Sequence, residues 1–274
     1  MEVIRDFRRL FPTVMDRAYD QSKELRRVSD IMSREVVTVT PKATMAEAAK
    51  TMGERHIGSL IVVEHNKPTG IVTERDLLSR VIARDLSPEK VKVRDVMSRP
   101  LISISPSATI REAAQTMIRE KGRLAVFDDE KLVGLVTVSD LVKSMPLVSE
   151  TRLMVDEYMT RKVVTADEKA HVSGVVRTMG EKRIGSVVVT RGERPVGIFT
   201  ERDLLTTLLA QGRPLSVAVG EVCSSPLWAI PAATPINVAA HVMASKHVKR
   251  LPVVEDDEMV GIITARDLVE AYAK

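Results

Sequence analysis

Apolar residues along this chain switch between helical and strand spacing, and the switching recurs four times. From Val28, a short turn around Asp30-Ile31-Met32 leads to Val36 to Val39, an apolar stretch that reads as a strand and ends before Pro41. Met45, Ala48, Ala49 and Met52 then share one face of a helix predicted over Met45 to Arg55. Ser59 to Val63 is a continuous apolar run, the pattern of a strand covered on both sides. A loop over His65 to Pro68 precedes a strand at Gly70 to Thr73, and a helix from Arg75 to Ala83 closes the unit. The predicted order is strand, helix, strand, strand, helix. Its closing stretch, GIVTERDLL from Gly70 to Leu78, returns as GLVTVSDLV, GIFTERDLL and GIITARDLV, with the glycines at 70, 134, 197 and 261. Repetition at this period decides the fold before any single residue does.

The repeats are unequal. Repeat 3 follows repeat 1 at a constant offset of 127, carrying Met32 onto Met159, Ile57-Gly58-Ser59 onto Ile184-Gly185-Ser186 and Asp76 onto Asp203. Repeat 4 follows repeat 2 at 126, then 127 after Met117 and Met243. A two-repeat unit was therefore duplicated, with halves near 28–146 and 152–274 joined by the link containing Pro146. The repeats themselves are expected over 28–86, 91–146, 152–212 and 215–274. One unit of about 60 residues buries too little surface to stand alone, so neighbours should pair. Residues 1–27 lie outside the repeat. Ile4, Phe7, Phe11, Val14 and Ala18 are helically spaced, and a helical extension packed on the first repeat is expected there.

Composition narrows the function classes. The 274 residues are 44% hydrophobic and 28% charged, typical of a soluble globular protein, and the net charge of +4 is mild and well mixed. No phosphate-tracking surface of a nucleic-acid binder is indicated. Cys223, the single cysteine, excludes an internal disulfide and a multi-cysteine zinc site, and suits a reducing cytoplasm. Glu2, Arg5 and Asp6 break any signal peptide, and the uncharged run Val222 to Ser245 is interrupted by Pro226, Pro231 and Pro235, so no membrane span is expected. Two Asn and three Gln against abundant Arg and Glu point toward a thermophile.

Four copies of Gly-h-h-Thr-x-x-Asp-Leu, the I-M-S/T turn before the first strand, and the segments RHIGSLIVV and KHVKRLPVV resemble the CBS domain, the module named after cystathionine beta-synthase. The resemblance covers nearly everything after residue 27. Four repeats in one chain resemble the group formed by the gamma subunit of AMP-activated protein kinase and its stand-alone archaeal relatives. It implies an α/β (α+β) fold of four β-α-β-β-α repeats, paired into two Bateman modules that form a disc, with adenosine ligands held in clefts between paired repeats.

The same resemblance assigns ligand contacts to Thr73/Asp76, Thr137/Asp140, Thr200/Asp203 and Thr264/Asp267. An ionised carboxylate accepts hydrogen bonds from both hydroxyls of a ribose diol, and such charge-assisted bonds are strong. Thr-x-x-Asp before an apolar run is equally a helix capping box, worth about 1 kcal/mol, and recurrence does not separate the two. Arg75, Arg202 and Arg266 beside the Asp, with Arg123 and the pair Lys249-Arg250 before the second strand, tilt the balance toward a phosphorylated ligand. Repeats 1 and 3 have Gly58-Ser59 and Gly185-Ser186 in that place, small enough for backbone to approach a ligand. By resemblance Val37, Ile57 and Ile184 join the ligand contacts as well.

The other candidates read as structural. Cys223 stands where other repeats have Met32, Met97 and Met159, a small core or pocket position. His56, His65, His171, His241 and His247 show no metal-ligand spacing, and no catalytic residue or required cofactor is indicated. The expected protein is a non-catalytic sensor of adenine nucleotides, AMP foremost, with ADP or ATP competing. It would act on a second copy in a homodimer or on a regulated protein, with no nucleic acid and no membrane as partner. A sensor of S-adenosylmethionine or methylthioadenosine, and a structural adaptor whose Thr-x-x-Asp copies only cap helices, remain the alternatives.

Overall fold

The computed structural model describes residues 2–3, 26–145 and 153–274. The helical extension expected at residues 1–27 lies almost wholly outside them, as does the link at Pro146. At the start of the chain the described element is a two-residue strand, β1 (Glu2–Val3).

Every repeat has the expected element order. Repeat 1 comprises β2 (Thr38–Val39), α1 (Met45–Glu54), β3 (Ser59–Glu64), β4 (Lys67–Thr73) and α2 (Glu74–Arg80). Repeat 2 comprises β5 (Ile102–Ile104), α3 (Ile110–Glu120), β6 (Leu124–Asp128), β7 (Lys131–Val136) and α4 (Val138–Ser144). In repeat 3 these are β8 (Thr165–Asp167), α5 (Val172–Lys182), β9 (Ser186–Arg191), β10 (Arg194–Thr200) and α6 (Glu201–Asp203), which runs on into a π-helical turn (Leu204–Leu208). Repeat 4 has β11 (Trp228–Pro231), α7 (Ile236–Ser245), β12 (Arg250–Glu255), β13 (Glu258–Thr264) and α8 (Ala265–Ala273). The first strand of each repeat runs parallel to the second, and the second pairs antiparallel with the third. β1 adds to the open edge of β11, giving repeat 4 a fourth strand.

Three boundaries differ from expectation, the first being the closing helix of repeat 1, which ends at Arg80 and gives way to a 3-10 turn over Ile82–Arg84. The loop expected at 65–68 shrinks to His65-Asn66, whose φ values of 50° and 60° make a tight two-residue hairpin turn. Pro68 then falls inside β4, which tolerates it as an edge strand. The first strand starts at Thr38, two residues late, although the Val37 carbonyl still accepts the Ile61 N–H at 3.1 Å.

The chain divides into two compact units that cut across the sequence halves. One gathers residues 37–101 and 164–227, hence the sheets and helices of repeats 1 and 3. The other gathers the described residues within 2–36, 102–163 and 228–274, hence the sheets and helices of repeats 2 and 4. In the first unit the apolar faces of α1, α2, α5 and α6 meet in a core that includes Met45, Met52, Leu77, Met179, Phe199 and Leu204. The second unit has its own core, with Ile110, Met117, Leu141, Met243, Leu251 and Leu268 among its members.

The short turn that opens each repeat docks on the last strand of its neighbour in sequence. Ser33 pairs with Leu135, Ser98 with Ile71, Thr160 with Ile262 and Ser224 with Ile198, each as an antiparallel bridge. This docking explains the glycine of the repeated motif. A Cβ on Gly134 would lie 2.6 Å from Met32 Sδ and 3.1 Å from the Ser33 carbonyl oxygen. At Gly197 the sulfur is that of Cys223, again 2.6 Å from where a Cβ would stand.

Helix α5 carries two glycines in unlike surroundings, and they provide an internal comparison. A Cβ on Gly180 would come 2.4 Å from the Ala83 Cβ, which has nowhere to swing, whereas Gly174 has nothing within 4 Å. We expect Gly180→Ala to destabilise the fold by about 1–3 kcal/mol through overpacking. Gly174→Ala should stabilise it by about 0.5–1 kcal/mol through helix propensity. Denaturant unfolding of both variants checks the pair; equal shifts of one sign would contradict this packing.

Candidate functional site

Thr-x-x-Asp closes the last strand of every repeat and opens the following helix. In all four copies the aspartate reaches back over the turn. Its Oδ2 accepts the N–H and the hydroxyl of the Thr at 2.9 and 2.7 Å for Thr73, and at 2.8 and 2.7 Å for Thr137, Thr200 and Thr264. In repeats 1, 3 and 4 the Thr Oγ1 accepts the Asp N–H in return, at 3.2, 3.3 and 3.4 Å. In repeat 2 the Asp140 N–H bonds to the Thr137 carbonyl instead, at 3.1 Å. The helix caps foreseen as one reading are therefore present throughout. A cap of this kind uses one carboxylate oxygen and the Thr proton, leaving Thr lone pairs and Oδ1 for other partners.

Oδ1 is where the copies diverge. Asp203 Oδ1 accepts the Ser224 hydroxyl at 2.8 Å, and Asp76 Oδ1 lies 3.3 Å from Arg80 Nη1. Asp140 and Asp267 make no hydrogen bond through Oδ1 with the described residues, and both are half-buried. Burial pushes the Asp267 carboxyl above the usual carboxylate range, against the opposing effect of the Thr264 hydrogen bonds; Glu270 raises it further and Arg266 lowers it.

The turn before the second strand is brought to the same place by the sheet register. Ser59 stands opposite Thr73, Ser186 opposite Thr200 and Arg250 opposite Thr264. Leu124 pairs with Val136, which sets Arg123 beside Thr137. Backbone bonds tighten the approach: the Gly58, Gly185 and Lys249 carbonyls accept the N–H of Glu74, Glu201 and Ala265 at 3.2, 3.2 and 2.8 Å. Ile57 and Ile184 are half-buried against the core of the first unit, as is Val37 at the sheet edge. The first unit thus holds the predicted residues of repeats 1 and 3, and the second holds Arg123, Thr137, Asp140, Lys249, Arg250, Thr264, Arg266 and Asp267.

Arg75 and Arg202 have partners that sequence reasoning missed. Arg75 Nε lies 2.8 Å from Glu201 Oε1, and Arg202 Nε lies 3.4 Å from Glu74 Oε1. Arg266 has no such carboxylate among the described residues and reaches the Ile118 carbonyl at 3.5 Å. The signal for Glu74 and Glu201 was in the motif itself, since only repeats 1 and 3 read Thr-Glu-Arg-Asp. Ser224 was visible only as the residue that follows Cys223 in the leading turn. Among the described residues no group of His, Cys, Asp and Glu is placed to hold a metal ion, and no helix is long and apolar enough to cross a membrane.

Comparison with known proteins agrees with this geometry. The CBS domain family model matches residues 28–83, 93–147, 155–210 and 219–274. A protein of Methanopyrus kandleri is 38% identical over 128 residues, 45% of this chain and 65% of that one, just under two thirds of its length. A CBS domain-containing protein of Bacillus subtilis is 36% identical over 115 residues, 42% of this chain and 81% of its own. The crystal structure of a Methanocaldococcus jannaschii protein, described as a candidate archaeal homologue of γ-AMPK, superposes with a TM-score of 0.75 at 25% identity, covering 90% of this chain and all (100%) of that one.

Two outcomes follow from the electrostatics. Because the folded Asp267 pKa is raised, the stability tied to its protonated form is present at low pH and lost as pH rises through that pKa. The stability of wild type relative to Asp267→Asn should therefore fall as pH rises from the ordinary carboxylate range through the raised folded pKa; a difference that rises with pH in paired denaturant curves would contradict the assignment. The Cys223 thiol is pushed up by burial and then by the Asp203 charge, so little thiolate forms near neutrality. Alkylation followed by mass spectrometry should be about tenfold or more slower in the native protein than in the unfolded chain.

Proposed function

Since this chain belongs to the CBS-domain family, we propose that it is a non-catalytic sensor of adenine nucleotides, AMP foremost, with ADP and ATP competing. The ligand's ribose would sit on the Thr-x-x-Asp ends of the repeats and its phosphate on the neighbouring cations. The observation that carries this reading is the Asp267 carboxylate. Thr264 engages Oδ2, no described residue hydrogen-bonds to Oδ1, and Arg250 stands directly opposite Thr264. Oδ1 has lone pairs for a diol, and the carboxyl's raised pKa marks a desolvated site where an incoming donor is worth more than in water. The γ-AMPK relationship stated for the M. jannaschii structure supports the same ligand class. Signalling would follow from differential binding to two arrangements of the protein, passed to a second copy or to a regulated protein.

A structural adaptor is the second reading, and the caps found in all four repeats favour it. Thermal unfolding separates the two. AMP at about 100 times its dissociation constant should stabilise the protein by about 2.7 kcal/mol per filled site. In calorimetry Asp267→Asn should weaken the affected site about ten- to a hundredfold, or about 1.5–3 kcal/mol. An adaptor would show no shift in melting with AMP, ADP or ATP.

A further inference from the structure

The leading strand of repeat 4 carries an aromatic residue that its three counterparts lack. In every repeat one leading-strand residue pairs with the second-strand residue opposite the motif glycine. These are Val39 through Val62 and Gly70, and Ile104 through Val126 and Gly134. The later repeats have Ala166 through Val189 and Gly197, and Ile230 through Val253 and Gly261. Two residues earlier come Val37, Ile102 and Val164, but in repeat 4 Trp228, the chain's single tryptophan. Val37 was expected to contact a ligand from this position. The same register, carried back along β11, sets Trp228 alongside Leu251, next to Arg250, which stands opposite Thr264. Trp228 therefore borders the Thr264–Asp267 end of its own repeat.

The ring does more than fill the core. Trp228 is half-buried against the core of the second unit, and one ring face carries the Lys246 ammonium, with Nζ 3.8 Å from the centroid. Lys246 is itself exposed, on the turn between α7 and β12. The cover of that face is thus a long side chain in contact with water. A cation–π contact at an exposed site is weak, whereas a nucleobase stacked on an aromatic ring gains more and takes both faces out of water. Valine or isoleucine at the same place offers no such face.

We infer that Trp228 is the platform on which the base of a bound nucleotide stacks at the repeat 4 end, taking the place of Lys246 while Asp267 holds the ribose. The inference rests on the nucleotide reading above. It adds the residue that recognises the base and the repeat at which this happens.

Because Trp228 is the only indole, tryptophan emission reports on this one place. Emission and calorimetry, followed in parallel as AMP is titrated into the full chain, test the inference. AMP should quench the emission with the midpoint of a calorimetric binding event, and ribose phosphate, which lacks the base, should not. D267N should move the quenching midpoint to about tenfold or more higher AMP. W228V, which installs the residue of repeat 1, should weaken one site by about tenfold, and W228F, which keeps an aromatic face, should lose less. Four results would overturn the inference: AMP bound with emission unchanged, equal quenching by ribose phosphate, a midpoint that D267N leaves in place, or W228V binding AMP no worse than W228F does. Should W228V fail to fold by circular dichroism, the emission of wild type and D267N decides. Should calorimetry show no AMP, ADP or ATP bound, the nucleotide reading itself falls. Free adenine then serves as the probe: saturable quenching supports the platform, and its absence overturns it.

Discussion

The contact on which the rest of this structure depends is a sulfur seated on a glycine. Each repeat opens with a turn whose Met or Cys lies against the last strand of the neighbouring repeat, at the one residue of that strand without a side chain. The paired backbone bonds of Ser98 with Ile71, at 2.8 and 3.0 Å, and of Ser33 with Leu135, both at 3.0 Å, hold the turn in register. Because the chain hands this turn to its neighbour, no repeat is complete by itself. The same exchange carries the residue after the sulfur toward the Thr-x-x-Asp end, which is how Ser224 comes to donate its hydroxyl to Asp203. A packing requirement thereby reaches the chemistry of the candidate site.

Capping and ligand binding are often posed as alternatives for a Thr-x-x-Asp end, but the carboxylate geometry makes them compatible. One oxygen accepts both Thr donors, fixes the side chain's rotamer and satisfies the start of the helix. The other oxygen is thereby aimed without further cost of ordering, which is the condition for a strong hydrogen bond to a ligand. What separates the copies is the fate of Oδ1 and the charge around it, both set by residues outside the motif.

Much of this was legible in sequence. The repeat, its element order and the Thr-x-x-Asp ends follow from periodicity, and the glycine follows from repetition, although its reason did not. Met32 and Gly134 are about a hundred residues apart and no local rule joins them. The hairpin turn at His65-Asn66 was hidden because Pro68 suggests a loop, whereas an edge strand accommodates it. The ion pairs Arg75–Glu201 and Arg202–Glu74 could not be foreseen while pairing was sought between sequence neighbours, since they require repeat 1 to meet repeat 3. Arg75 and Arg202 looked like free cations for that reason alone.

Those ion pairs carry the history of the chain. Exchanging the two copies, by adding 127 to the repeat 1 residue and subtracting 127 from the repeat 3 residue, turns Arg75–Glu201 into its counterpart Arg202–Glu74, and turns the approach of Gly53 to Ala210 into that of Gly180 to Ala83. Residue i meeting j while j meets i is the signature of an isologous contact between two copies related by a two-fold axis. The first unit is therefore built as a symmetric dimer contact would be, with both partners now on one chain. Fusion releases the two copies from being identical, and the departures are on view. Arg177 pairs with Asp85 at 3.1 Å, yet the equivalent positions hold Lys50 and Gly212, and Lys50 turns to Glu54 instead. Cys223 replaces the methionine of the other three turns while keeping a sulfur over its glycine. Reciprocity is kept both by the ion pairs between the first turns of α2 and α6 and by the glycine contacts of α1 and α5. Symmetry has thus been retained where the buried glutamates and the close helix approaches require it, and relaxed at exposed positions such as Arg177 and Asp85.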